Sequence, residues 1–416
     1  MDDKRKYAIS SYKSSVKTLK GCTKMIIGQF NDSFPPVMDG VANVTKNYAY
    51  WLNKKYGDCY VITPSFPKYK DNENFEVIRY FSLPLVIRRP YRLGIPRTDF
   101  RLRRKLSEIP FNIMHAHSPF SSGKLALRIA KKRGIPIVAT FHSKFYDDFK
   151  TVVKSDALAE LGVKQVVDFF NAVDLVWTVN KATAETLKEY GFKGKIDIIY
   201  NGTDFTPPSD FENRRAHINK LLKINPQETV FLFVGQHIWQ KNLKMLIQSL
   251  KYIQEWGLDY KMIFVGTGYA EHAMKEQVKE LGLNERVIFK GSILDREFLK
   301  SLYARADLFL FPSIYDNAPI VIREAGAIKC PSVVIKNSNS AEGLTDNFNG
   351  FVAQNNSESF AKRVMEILSD QELLIKVGKN AQKTIYKPWE QIIDEVAVKY
   401  REIIEEYKQK DRLSVI

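Results

Sequence analysis

The feature that most constrains this chain is a rhythm that occurs twice. In the first half, short apolar runs at 25–30, 59–63, 112–116, 136–140, 174–179 and 196–200 alternate with helical patterns such as 41–55, 123–133 and 181–190. Around 201–213 the text becomes NGTDFTPPSDFEN, where Gly, Pro, Asn and Ser favour turns over either regular element. The alternation then restarts, with apolar runs at 229–234, 260–265, 286–289, 307–311 and 332–335 and helical patterns at 243–256, 269–281, 295–305 and 320–328. Apolar runs without polar alternation fit strands buried on both faces, and strands separated by helices build a parallel sheet. Two α/β, doubly wound, Rossmann-like domains facing across a cleft are therefore expected, joined at the punctuated segment. The expected parts are a basic leader at 1–24, a first domain at 25–205 and a second at 206–389. A last helical stretch, 390–416, has no strand after it and is expected to pack back on the first domain.

Size and composition agree with that layout. A chain of 416 residues is too long for one ordinary core. No apolar run is long enough to span a bilayer, and the leader MDDKRKYAISSYKSS lacks the apolar centre of a secretory signal. The cysteines, Cys22, Cys59 and Cys330, offer neither a disulfide framework nor metal-ligand spacing, so a reducing, cytoplasmic setting is expected. The net charge of +16 is unevenly placed. Residues 1–200 hold 34 Lys and Arg against 19 Asp and Glu, whereas 201–416 hold 29 against 28. The densest stretch carries Arg88, Arg89, Arg92, Arg97, Arg101, Arg103, Arg104 and Lys105 with Asp99 the one acid, interleaved with Tyr91, Leu93, Ile95 and Phe100.

In open α/β sheets, ligands bind outside the carboxyl ends of the strands, so the residues following each run are the candidates. After 229–234 comes Gly235-Gln236-His237 and then Lys241, a glycine that admits a phosphate and a lysine to neutralise it, or else a plain turn with a solvated lysine. After 260–265 comes Gly266-Thr267-Gly268, where the dinucleotide fingerprint would need a third glycine and Glu271 stands instead, which disfavours a nicotinamide cofactor. After 307–311 the chain reads Pro312-Ser313-Ile314-Tyr315-Asp316-Asn317-Ala318-Pro319-Ile320, with Glu324 farther on. Pro319 suits the first turn of a helix whose N-terminal N–H groups favour an anion. Asp316 and Glu324, acceptor-only carboxylates, suit sugar or ribose hydroxyls, or else they are a surface acid and a helix acid paired with Arg323 or a lysine. His115 and His117 flank Ala116 and are expected on opposite faces if the strand continues through them. Zinc ligation by His115, His117 and His142 has no cysteine or helical histidine pair to support it, and no metal is expected.

These motifs together resemble the family-4 retaining glycosyltransferases of the GT-B fold. The segment DLFLFPSIYDNAPIVIREAGA followed by GLTDNFNGFV looks like that family's donor signature. VGQHIWQKN, VGTGY, IIYNGTDF, FNDSFPPVMDGVANVT, IMHAHSPF and ATFHS match in order over roughly 25–400. The resemblance implies that Glu324 holds the ribose hydroxyls and that Asp316 contacts the transferred sugar, aided by backbone N–H groups near Ala318 and Ile320, with Asn317 and Pro319 in the same donor-binding segment. It further implies Lys241 and the Gly40 loop on the diphosphate, His117 facing the reacting sugar, His142 at a second strand end nearby on the acceptor surface, and no cofactor beyond the nucleotide sugar as co-substrate. Three positions depart from the pattern. Gln236 stands where the family has arginine, with His237 as a candidate substitute, Asp316 replaces a glutamate, and Pro319 replaces a glycine.

The expectation is thus a retaining, metal-independent hexosyltransferase using a UDP-sugar, with a lipid or glycan acceptor. Domain closure at the joint would keep water from competing as acceptor. The basic stretch from Arg88 to Lys105 reads as an attraction to an anionic membrane surface, placing the protein at the inner face, or as a solvated surface that keeps it dispersed. Two rivals remain. One is a catalytically silent relative acting as a partner subunit; the other is a basic nucleic-acid-binding protein, which no recognisable motif supports.

Overall fold

The computed structural model describes residues 24–37, 39–86 and 89–414. They form two compact units, one ending at Asn201 and resuming at Trp389, the other running from Gly202 to Pro388.

The first unit is built on a seven-stranded sheet in the order β3-β2-β1-β6-β7-β8-β9. Its strands are β1 (Met25–Phe30), β2 (Gly57–Pro64), β3 (Glu76–Tyr80), β6 (Ile113–Ala116), β7 (Ile137–Phe141), β8 (Leu175–Thr178) and β9 (Ile196–Ile198). Every neighbouring pair is parallel. A short antiparallel hairpin, β4 (Ser82–Pro84) with β5 (Arg92–Gly94), stands apart from it. The strand order reverses between β1 and β6, the topological switch point of a doubly wound sheet.

The second unit carries a six-stranded sheet in the order β12-β11-β10-β13-β14-β15, the Rossmann arrangement with its switch between β10 and β13. Its strands are β10 (Thr229–Val234), β11 (Tyr260–Val265), β12 (Val287–Phe289), β13 (Leu308–Phe311), β14 (Ser332–Ile335) and β15 (Phe351–Ala353), all parallel. The apolar runs form the strands because both faces are covered. Phe231, Leu232, Phe233, Phe309 and Phe311 are all fully buried.

Helix starts follow side-chain chemistry. Asp39, Asp99, Asn180, Asp295, Asn356 and Asp370 each accept a first-turn N–H of the helix they precede. Helix Trp389–Ser414 buries Trp389, Ile392, Ile393, Val396, Ala397 and Tyr400, an i, i+3, i+4, i+7 stripe. It lies on helix Gly40–Lys55, where Lys55 pairs with Glu390 at 3.2 Å and with Asp394.

Several elements depart from the sequence expectation. The turn-rich joint is shorter than 201–213. Phe205 is buried in the second unit's core, Thr203 N–H donates to Lys387 O at 2.9 Å, and helix Phe211–Leu222 starts before the punctuated segment ends. The second unit therefore begins at Gly202, ahead of the boundary placed after 205. Strands β3 and β15 and helices Phe145–Val153, Asp156–Ala172, Ser357–Leu368 and Gln371–Thr384 are additional to the elements expected from the sequence. The β15 strand has only three residues, too few for a period to show. The leader up to residue 23 lies outside the described residues.

Candidate functional site

Each unit gathers buried polar side chains at its own switch point. In the second unit, β10 ends at Val234 and β13 at Phe311, adjacent strands whose following loops carry Lys241 and Asp316. Lys241 Nζ donates to both Asp316 oxygens, at 2.8 and 2.7 Å, and stands 5.4 Å from the centre of the Phe311 ring. Ser313 Oγ donates to Asp316 Oδ2 at 2.6 Å and accepts the Asp316 N–H, so the carboxylate is fixed in place. Lys241 is buried and Asp316 half-buried. Helix Ile320–Ala327 begins just beyond, with Pro319 at its cap position and no side chain capping it. Its leading N–H groups thus carry the positive end of the helix without an internal acceptor. Asn317 Oδ1 accepts from Asn339 at 3.2 Å.

Glu324 is buried on that helix. Arg296 Nη2 donates to its Oε1 at 2.6 Å and the Tyr303 hydroxyl to its Oε2 at 3.1 Å, while Arg296 also grips Asp204. Burial pushes the Glu324 carboxyl above its usual range, against the opposing pull of Arg296. The partner of Glu324 is therefore neither Arg323 nor a lysine. Arg296, Tyr303 and Asp204 escaped the sequence reading, since each comes from a segment remote from Glu324 in the chain.

The two glycine-bearing turns are zipped together. Gly235 N–H donates to Val265 O at 3.0 Å, and His237 N–H to Thr267 O at 2.9 Å. A Cβ on Gly266 would fall 1.9 Å from Gly235 O, and one on Gly268 would fall 2.2 Å from His237 O. Packing of one turn on the other accounts for both glycines. Gln236 is exposed. His237 does not replace the family's arginine as a cation. It is buried against Phe264 and Phe289, its Nδ1 is 3.2 Å from Glu271, and burial depresses its pKa.

In the first unit, β1 and β6 place Gln29, His115 and the following His117 side by side. The expected opposition of the two histidines fails. Residues two apart in an extended chain share a face, so the rings of His115, in β6, and His117, just past its end at Ala116, stack at 4.2 Å and 24°. His117 Nε2 bonds Gln29 Oε1 at 2.7 Å and its Nδ1 bonds His142 Nε2 at 3.2 Å. His115 Nε2 bonds Thr140 Oγ1 at 2.7 Å and its Nδ1 meets the Tyr400 hydroxyl. Burial pushes the pKa of His115 and of His117 well below the usual value, and that of His142 down to about 3. His142 thus belongs with His117 rather than with a surface. Among the described residues, no group of three or more His, Cys, Asp or Glu side chains is placed to hold a metal ion.

Gly40 opens helix Gly40–Lys55, and a Cβ there would meet nothing within 4 Å. The fold itself does not demand this glycine, in contrast to Gly266 and Gly268. Asp32 fastens the preceding loop to helix Ser121–Arg133, accepting from Ser122 N–H at 3.1 Å and from the hydroxyls of Ser118 and Ser121.

The basic stretch divides into three parts. Arg88 lies outside the described residues. Arg92 folds inward, donating through Nε to Ser82 Oγ and through Nη2 to Ser82 O, both at 2.8 Å, so it closes the hairpin instead of facing a partner. Arg89, Arg97, Arg101, Arg103 and Arg104 are exposed. Beside them stand exposed apolar side chains. Leu83 and Leu93 are cross-strand neighbours, Phe81 donates its N–H to Asp99, and Phe100, which follows Asp99 in the chain, is 72% exposed. No described helix is long and apolar enough to cross a membrane.

Two Rossmann-type parallel sheets, each with its polar groups at the strand reversal, define the GT-B class of glycosyltransferase. The chain belongs to the family-4 glycosyltransferases: residues 38–206 match Glycosyltransferase Family 4 and residues 214–384 match Glycosyl transferases group 1. It is 24% identical over 313 residues to the alpha-monoglucosyldiacylglycerol synthase of Streptococcus pneumoniae, covering 74% of this chain and 70% of that one. To the enzyme of the same name from Acholeplasma laidlawii it is 25% identical over 370 residues, covering 86% and 92%. Among solved structures, Anabaena HepE in complex with UDP and glucose superposes with a TM-score of 0.70 at 18% identity, covering 90% of this chain and 98% of that one.

Proposed function

We propose that this chain is a retaining glycosyltransferase that moves a sugar from a UDP-sugar to a lipid or glycan acceptor at the cytoplasmic face of a membrane, without a metal or other cofactor. The observation that carries the reading is the Lys241–Asp316 pair beside the uncapped start of helix Ile320–Ala327. Cleaving a sugar–phosphate bond leaves an anionic diphosphate, which needs a cation and helix N–H groups already in position. When the diphosphate takes Lys241, both Asp316 oxygens are released to accept sugar hydroxyls. Glu324 Oε1 and Oε2 each retain acceptor capacity beyond Arg296 and Tyr303, which suits the two hydroxyls of a ribose.

A uridine donor is supported by the fold shared with a protein solved with UDP and glucose. A lipid acceptor is supported by the names of the two relatives and by the exposed Phe81, Leu83, Leu93 and Phe100 among arginines, a surface suited to anionic headgroups. Gln236, exposed and uncharged where the family has arginine, supports the second reading, a catalytically silent partner subunit.

Thermal stabilisation and slow donor hydrolysis across a panel of nucleotide sugars separate the two. One uridine sugar should raise the unfolding free energy by about 2.7 kcal/mol at a hundredfold excess over its Kd. Glu324→Ala should lose that shift yet still fold, because Arg296 keeps Asp204 as partner. No stabilisation and no hydrolysis with any donor would overturn the enzyme reading.

A further inference from the structure

Tyr400 sits on the last helix, far in sequence from any motif, yet it is buried against the histidines at the first switch point. Its ring stacks on Trp177 at 5.6 Å and 14°, and its hydroxyl meets His115 Nδ1. Gln29 Nε2 donates to that hydroxyl at 3.2 Å, and Gln29 Oε1 faces His117 Nε2 at 2.7 Å. His117 Nδ1 faces His142 Nε2 at 3.2 Å, and His115 Nε2 faces Thr140 Oγ1 at 2.7 Å. The six side chains form one continuous hydrogen-bonded chain, from His142 through His117, Gln29, Tyr400 and His115 to Thr140.

Such a chain has a direction. A neutral imidazole has one N–H and one lone pair, an amide has a donor end and an acceptor end, and a phenol hydroxyl has one proton to give. With the Gln29 amide donating to Tyr400, the Tyr400 proton must go to His115 Nδ1, and the His115 proton must then lie on Nε2, towards Thr140. On the other side, Gln29 Oε1 can only accept, so His117 carries its proton on Nε2, and its Nδ1 accepts from His142. Reversing the His117–Gln29 link alone sets two lone pairs face to face, and reversing the Tyr400–His115 link alone leaves the buried Tyr400 proton without an acceptor, so the links reverse together or not at all. Burial also keeps the three imidazoles neutral, as the scheme requires.

We propose that Tyr400 is a positioning residue, which acts through Gln29 to hold His117 in the single neutral tautomer protonated on Nε2. The tautomer assignment stands on the geometry of the first unit alone; its effect on turnover rests on the glycosyltransferase reading above.

The test is nitrogen NMR of the histidine side chains at neutral pH in the full chain, comparing the native protein with Tyr400→Phe. That substitution removes the hydroxyl and keeps the ring against Trp177. The native spectrum should show His117 with a protonated Nε2 and a bare Nδ1, and Tyr400→Phe should give a mixture of the two tautomers. Where Tyr400→Phe fails to fold, Gln29→Leu deletes the middle link without adding a charge and should scramble His117 in the same way. Turnover in Tyr400→Phe should fall about fivefold, with the donor KM unchanged, as expected for one lost hydrogen bond. A tautomer change in a protein that transfers no sugar supports the relay and counts against the activity alone. A native His117 protonated on Nδ1, or an unaltered His117 in both variants, overturns the proposal.

Discussion

The two switch points solve the same structural problem with opposite chemistry. In the first unit, the most deeply buried polar groups beside β1 and β6 are neutral rings, an amide and hydroxyls, paired end to end, while the carboxylate Asp32 lies nearer the surface. In the second unit, the groups beside β10 and β13 are ions, with Lys241 against Asp316 and Arg296 against Glu324 and Asp204. A neutral chain tolerates burial because every dipole has a partner and no net charge is desolvated. Lys241 and Glu324 are buried ions kept at a desolvation cost, which fits the charged ligand proposed above to exchange with them. The charge of the first unit lies on its surface instead, in Arg89, Arg97, Arg101, Arg103 and Arg104.

Lys241→Ala strikes the ionic centre and should have the largest effect. Removing the cation leaves Asp316 held by Ser313 and takes away the lysine proposed above for the leaving diphosphate. Losing one preorganised charge-stabilising group costs about a hundredfold to a thousandfold in kcat. Donor turnover by Lys241→Ala compared with the native protein measures it, with circular dichroism to establish folding. Turnover within about threefold of native would mean that the ion pair is structural and that the comparison misreads the second unit.

The surface charge of the first unit is tested next. Each cation near an anionic bilayer contributes about 1 kcal/mol, so replacing Arg101, Arg103 and Arg104 together by alanine should weaken partition onto anionic vesicles by about a hundredfold. Neutral vesicles serve as the reference in the same co-sedimentation measurement. Because helix Phe100–Glu108 buries Leu102 and Leu106 while these arginines point outward, the triple variant should fold normally. Equal binding of both proteins to anionic vesicles would leave the surface charge without a membrane role.

What the sequence disclosed depended on how local the signal was. The β10 and β13 strands were legible because TVFLFV and LFLF are buried on both faces and need no partner to be recognised. Lys241, Asp316 and Glu324 stood out as candidates because they follow strand ends or lie early in a helix, and the family resemblance supplied the roles expected of them. Their partners were not. Arg296 reaches Glu324 from the helix after β12, and Tyr400 reaches His115 from the other end of the chain, contacts that only the closed fold defines. A local clue for Gln29 did exist, as the one polar side chain inside the apolar run MIIGQF. The expectation of opposite histidine faces fails because residues two apart on a strand share a face, so His115 and His117 fall on one side, where their rings stack.

The smallest effect, and the one that bears most directly on the comparison, is the response to acid. His115, His117 and His142 have folded pKa values depressed by burial, His142 to about 3, whereas an unfolded histidine titrates near 6.5. Below about pH 6.5 the unfolded chain therefore takes up protons that the folded unit refuses, so stability is full above that pH and declines as the pH falls. Glu324 behaves in the opposite sense. Its folded pKa is raised above the ordinary glutamate value by burial, so protonation favours the folded state, and acid relieves its burial instead of adding to it. Moving from about pH 7.5 to about pH 5.5 should thus weaken the neutral centre and spare this part of the ionic one. Amide hydrogen exchange resolves the two, with protection in β6 and β7 expected to fall before protection in β10 and β13. The double variant His115→Gln with His142→Gln removes two of the three titrating groups and should flatten the loss in the first unit. Loss of protection in both units at the same pH would show that their difference in charge does not govern how they come apart.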